Sequence, residues 1–223
     1  MQLATSSRIL ALAQFIPEHA SVADIGAGDG ELATLLLRQN PERRVIASEA
    51  KLGPFRRLAD RVGQGVELRF GDGLAVLDPH EVEVVVLSGM GAALIRSLLS
   101  AEPSVVRSLR RLVLGPMGDA DDLRRFLYES GLVPVGEGMV REARQFYQVL
   151  AAEPGETALP PSVLALALGS SNLEAPAPIL LEYAKVRADR LRRIAAEAGD
   201  NMQASQRDLL VALERFLAGQ AKE

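Results

Sequence analysis

The sequence predicts an α/β fold, a mostly parallel sheet followed by a C-terminal α-helical hairpin. Three observations carry this. Short apolar runs alternate with helical patterns from residue 21 to about 152, as in repeated β-α-β units. The run VEVVVL within 82–89 has several consecutive apolar residues, which suits a strand buried on both faces. After PGETALPPS (154–162), a stretch rich in proline and small residues that reads as a linker, two amphipathic helices are joined by AGDN (198–201).

Taken in order, MQLATSSRILALAQFIPEH reads as an amphipathic helix, its apolar stretch broken by Gln14 and without the small-residue cleavage site of a secretory signal. Strands are expected at 21–27, 44–49, 66–71, 82–89 and 110–116, with ELATLLLRQ, GPFRRLADRV, AALIRSLLS and DADDLRRFLYESG as helices between or after them. In the last helix Asp119 is placed as N-cap and Gly131 as the stop. Residues 132–144 and 145–154 read as a closing antiparallel pair. Leu180, Ala184, Ala188, Leu191 and Ala195 form one helical stripe, and Met202, Leu209, Leu213 and Phe216 a second, which suggests an antiparallel hairpin. The expected domains are 1–155, holding a ligand site, and 156–223, the helical hairpin.

Composition narrows the chemistry. The chain of 223 residues contains no cysteine, which excludes disulfides, cysteine-based zinc sites and thiol nucleophiles. Its two histidines, His19 and His80, are far apart, and no metal site is expected. Nothing approaches the roughly 18 apolar residues needed to span a bilayer, so no membrane partner and a cytoplasmic location are expected. The net charge of −4 hides an uneven distribution: 22 of the 25 basic residues are arginine, many in adjacent pairs.

The most informative stretch is SVADIGAGDGELATLLL (21–37). Gly26, Gly28 and Gly30 are spaced G-x-G-x-G, and Glu31 stands where a dinucleotide-binding loop has its third glycine. Asp24 precedes the loop from the strand, and the arrangement D-x-G-x-G-x-G resembles the first motif of class I S-adenosylmethionine-dependent methyltransferases, whose sheet is Rossmann-like. Glycines let the backbone approach that ligand, and carboxylates can bind its amino group and hydroxyls. Glu49 ends the second strand, where an acid can accept both ribose hydroxyl protons, and Asp72 in FGDGL can accept from the adenine amino group. Ala50 and Gly73 follow these acids in the expected cofactor-binding set, with Asp24, Gly26, Gly28, Gly30, Ser88 and Gly89. All three strand ends lie where open α/β sheets bind ligands. Ser88, Gly89, Met90 and Gly91, where the fourth strand ends, are expected to line the acceptor pocket beside the transferable methyl, with Asp29 available to an exocyclic amino group. Read from these residues alone, the acceptor stays open between an RNA base and a small molecule, as does a binding protein without catalysis.

Ordered segments sharpen the reading. EAKLGPFRRLAD (49–60), FGDGLAVL (70–77), SGMGAALI (88–95), LVLGPMGDADDLRRFLYESGL (112–132) and LGSSNLEAPAPILLEYAKVRADRLRRI (168–194) together resemble the bacterial tRNA (adenine-N1)-methyltransferases that act at tRNA position 22. The resemblance implies S-adenosylmethionine as cofactor and tRNA as partner. It also departs from the family pattern: Gly28-Asp29 and Glu31 replace an Asp-His pair and a tyrosine, and Gly115-Pro116-Met117 replaces a Gln-Pro-Asn. Between Glu182 and Arg193, five basic residues stand against two acidic ones, and Arg187, Arg190, Arg192 and Arg193 are expected to track RNA phosphates.

Overall fold

The computed structural model describes residues 5–156 and 161–220, so the middle of the proline-rich stretch, 157–160, lies outside the described residues. Contacts divide the chain into two compact units, Met1–Ala158 and Leu159–Glu223. The first runs α1 (Ser7–Ala13), β1 (Val22–Ile25), α2 (Glu31–Gln39), β2 (Val45–Glu49), α3 (Leu52–Arg61) and β3 (Val66–Phe70). After a 3-10 turn at Gly73–Val76 come β4 (Val84–Gly91), α4 (Ala92–Ala101), α5 (Pro103–Ser108), β5 (Arg111–Met117), α6 (Asp121–Glu129), β6 (Leu132–Glu142) and β7 (Gln145–Pro154).

The seven strands lie in the order β3-β2-β1-β4-β5-β7-β6. β1 to β5 are mutually parallel, and β7 enters antiparallel between β5 and β6. Strand alternation sends neighbouring side chains into two cores, one on each face. In β4, Val84 and Val86 join the layer containing Leu12, Leu32 and Leu36, while Val85 and Leu87 join the layer containing Ile95, Leu123 and Leu127. The consecutive apolar residues of VEVVVL therefore serve both faces, as a parallel central strand requires.

Several element ends shift by a residue or more from the sequence reading, and two of the shifts have a physical reason. α6 begins at Asp121 with Ala120, not Asp119, as its N-cap. Ala120 is fully buried in the core, and that packing moves the helix start one residue along. β4 runs on to Gly91 through a bulge: Ser88 pairs with Gly115 and Met90 with Pro116, leaving Gly89 as the extra residue at φ 73°. Pro116, which has no N–H to donate, sits where the ladder is already interrupted. Gly131 closes α6 at φ 69°, as its sequence position implied.

The second unit contains α7 (Val163–Leu168), α8 (Ser170–Glu174), α9 (Pro178–Ala198), a 3-10 turn at Gly199–Asn201 and α10 (Ala204–Gln220). Ser162 caps α7 by accepting from the Ala165 amide at 3.2 Å. α9 opens on Pro178, whose missing N–H is harmless at that position. The expected stripes pack α9 against α10 through Leu180, Ala184, Ala188 and Leu191 on one side and Leu209 and Leu213 on the other.

The β3 edge is blunted by charge. Glu67 and Arg69 on β3, Arg44 before β2 and Glu81 before β4 form one ion network, with Arg44–Glu81 at 2.8 Å and Arg69–Glu81 at 2.5 Å. The Arg69 guanidinium is the chief reason that the Glu81 carboxyl falls to about 2. A depressed carboxyl stabilises the fold above its unfolded value and loses that contribution as pH falls through its folded value. Glu81→Gln is expected to cost about 2 kcal/mol near neutrality. In urea titrations the gap from wild type should close between pH 4.5 and about 2.

Candidate active site

The site assembles at the carboxyl ends of β1, β2 and β4, on both sides of the point where the strand order reverses. Past β1 the chain folds back tightly. The Gly26 and Ala27 amides donate to the Ser48 carbonyl, both at 3.0 Å, and the Gly30 amide donates to the Ala27 carbonyl at 2.9 Å. Gly26, Gly28 and Gly30 have φ of 74°, 60° and 72°. Gly30 is the left-handed N-cap of α2, and a Cβ there would lie 2.1 Å from Val62 Cγ1 and 2.9 Å from Leu58 Cδ1. The Gly28 amide donates to Glu49 Oε1 at 2.7 Å, joining the loop to the end of β2.

Two cavities open there. One, of about 410 Å³, is lined by Glu49, Ala50, Asp72, Gly73 and Met90. The other, of about 370 Å³, is lined by Arg8, Asp24, Gly28, Asp29 and Glu31. Gly26, Ser88 and Gly89 belong to both walls. The structure thus brings together the expected site residues of the first unit except Gly30, which shapes the loop from behind, and Gly91, which lies past the bulge at the end of β4 and lines neither cavity. A Cβ on Gly26 would meet Met90 Cε at 3.1 Å, so the shared wall has little room for a side chain.

The second cavity is rich in charge. Asp24 is buried, and its carboxyl is pushed up to about 7, first by burial, then by the nearby Glu49 charge, with Arg8 opposing. Asp29 is bridged by Arg61 at 2.5 Å. Glu31 accepts the Ser6 amide at 2.7 Å, which ties the entry of α1 to the start of α2. Two of the family departures, Gly28 and Glu31, are therefore engaged in hydrogen bonds that fix the loop.

Arg8 was not among the residues the sequence singled out. α1 carries it to the cavity wall, with its guanidinium 5.4 Å from the Tyr147 ring centroid. Its Nε is buried without a hydrogen-bond partner, and so is Ser48 Oγ on the wall of the first cavity. Orphaned donors on cavity walls fit a polar ligand that completes them. The one sequence signal for Arg8 is a cation beside Ile9 and Leu12 in a helix whose face is otherwise apolar.

The basic run of the second unit reads differently in three dimensions. Arg187 is 5% exposed and donates to the Ala167 carbonyl at 3.1 Å, so it is a packing residue and not a phosphate contact. It shares the buried face of α9 with Tyr183, Ala184, Ala188 and Leu191, which follows from its helical spacing. Arg190, Arg192 and Arg193 are exposed, but Arg192 is held by Asp189 at 2.7 Å and Glu214 at 3.0 Å. Among the described residues no cluster of His, Cys, Asp or Glu could hold a metal ion, and no helix is long and apolar enough to cross a membrane.

Known proteins place this geometry. A methyltransferase domain model matches residues 5–150. A tRNA (adenine(22)-N(1))-methyltransferase from Bacillus subtilis is 32% identical over 160 residues, covering 70% of this chain and 67% of that protein. The structure of a candidate tRNA (m1A22) methyltransferase from Streptococcus pneumoniae in complex with S-adenosyl-L-methionine superposes with a TM-score of 0.85 at 25% identity, over 96% of this chain and 100% of that one. The B. subtilis m1A22 tRNA methyltransferase structure has the same fold, with a TM-score of 0.80 at 24% identity over 99% of both chains. With its glycine loop, its strand-end acids and a relative matched along most of its length, the chain belongs to the tRNA (adenine(22)-N(1))-methyltransferase family.

Proposed function

We propose that the protein is a cytoplasmic enzyme that transfers the methyl group of S-adenosylmethionine to N1 of the adenine at tRNA position 22. The observation that carries this is the pair of cavities meeting at Gly26, Ser88 and Gly89, one suited to a cofactor and the other to an acceptor. In the first, Glu49 receives the ribose hydroxyls and Asp72 the adenine amino group, with Ala50 and Gly73 bringing backbone alongside. From the wall of the second cavity Asp24 would meet the cofactor's amino group, and Arg8 would offer its orphaned Nε to the carboxylate. The bound cofactor supplies an electrophilic methyl group on a sulfonium.

The residues around the acceptor then need to do little proton chemistry. N1 of adenine has an in-plane lone pair and attacks without prior deprotonation, so orientation and exclusion of water supply much of the rate. The base must first be turned out of its stack. The Gly89 bulge sets the backbone of Ser88 and Met90 against the reacting face. As the N1–methyl bond formed and the sulfonium–methyl bond broke, leaving a neutral thioether, positive charge would pass from sulfur to the ring, where the carboxylates of Asp24, Asp29 and Glu31 would favour it. Asp29 also accepts from the exocyclic amino group.

Incubation with labelled cofactor and total tRNA tests the proposal. The expected product is 1-methyladenosine at position 22. Turnover confined to small metabolites, or cofactor binding without transfer, would overturn it. Arg8→Ala is expected to weaken cofactor binding about tenfold in calorimetry, the loss of one charge-assisted contact. Arg8→Lys should recover part of that affinity.

A further inference from the structure

α3 presents a basic surface next to the site. With its N-cap Lys51, the helix carries four cations against one acid, Asp60. Arg61 is engaged by Asp29. Lys51, Arg56 and Arg57 are exposed, and among the described residues none of the three is ion-paired. This contrasts with α9, whose Arg192 is neutralised twice and whose Arg187 is buried.

The position of α3 matters as much as its charge. At one end Lys51 lines the cavity with Glu49 and Asp72, and at the other Arg61 grips Asp29 on the wall of the neighbouring cavity. The helix therefore runs along the rim of both. Beside it, Phe70 is 57% exposed and stands edge-on to Phe55 of α3, with ring centroids 5.5 Å apart. Exposed arginines that no carboxylate satisfies can take phosphate oxygens in a bidentate fork. An exposed aromatic face beside them offers stacking to an unpaired base.

We infer that α3 and Phe70 form the surface that receives the tRNA next to the site, with Arg56 and Arg57 on backbone phosphates and Phe70 against a nucleobase. This rests on the tRNA acceptor proposed above. The full-length protein with unmodified tRNA transcript provides the test, by anisotropy titrations from about 0.05 to 0.3 M salt. Arg56→Ala/Arg57→Ala should bind about tenfold more weakly at 0.15 M, with the slope of log affinity against log salt smaller by about 1.5. Phe70→Ala should lose a similar factor, about tenfold, with the salt slope unchanged, because stacking releases no counterions. Cofactor affinity, measured by calorimetry, should stay at the wild-type value in both. If wild type binds and methylates tRNA but the variants bind it equally well, the surface is overturned and the activity stands. If the variants lose cofactor affinity in parallel, the effect belongs to the cavity and the surface is again overturned. If wild type neither binds nor methylates tRNA, the surface and the activity fall together.

Discussion

Gly30→Ala is expected to destabilise the protein by about 3 kcal/mol and to empty the site of cofactor at concentrations that saturate wild type. Two strains add. A left-handed backbone at φ 72° costs an alanine about 1 kcal/mol. The new Cβ would also lie 2.1 Å from Val62 Cγ1 and 2.9 Å from Leu58 Cδ1, and Leu58 is fully buried with nowhere to retreat. Overpacking of this kind costs about 2 kcal/mol. The strain falls on the loop whose amides are held by Ser48 and Glu49, so binding should fail along with stability. Urea unfolding checks the first effect and calorimetric titration the second. Adding Val62→Ala should recover the Val62 part of the clash and leave the Leu58 contact and the backbone portion, a double-mutant cycle that isolates the Val62 contact. A Gly30→Ala protein as stable as wild type would refute this account of the loop.

The second large effect concerns Asp24. With its carboxyl raised to about 7, the free protein carries this group partly protonated at neutral pH. The cofactor's ammonium requires the ionised form. Cofactor affinity should therefore rise as pH climbs towards 7, by up to about tenfold per unit, and level off above it. Asp24→Asn removes the charge, and should weaken binding by a factor on the order of 10² and flatten the pH profile. Stability of the ligand-free protein runs the opposite way. A carboxyl raised in the folded state contributes fully below its unfolded value of 3.8, and that contribution is lost as pH rises through about 7. Thermal unfolding between pH 5 and 8 should show wild type losing stability relative to Asp24→Asn. A wild-type binding profile with no slope below pH 7 would contradict the role given to Asp24.

Much of this architecture was legible in the sequence because its signals are local. Runs such as VEVVVL mark central strands, and D-x-G-x-G-x-G with an acid at each following strand end marks a cofactor edge. What was hidden depends on the third dimension. Arg8 precedes the glycine loop by many residues and reaches the cavity only because α1 packs against the sheet. The Gly89 bulge, which lengthens β4, comes from pairing with β5 and has no counterpart in the fourth strand's own pattern. VLALAL, which becomes α7, is too short for periodicity to separate helix from strand. Arg187 was counted into a basic run by its place in the chain, although its helical face belongs to the packed side of α9. Charge counted along a sequence ignores which way each residue points.

The hydrogen bond from the Gly28 amide to Glu49 is made between the protein's own groups. It clasps the turn after β1 to the tip of β2 and leaves the glycine loop already in its working shape. Chain entropy that a floppy loop would surrender on loading has been given up during folding. The site behaves as a mould cast in advance, and ligands are sorted by how well they match it instead of by their power to organise it.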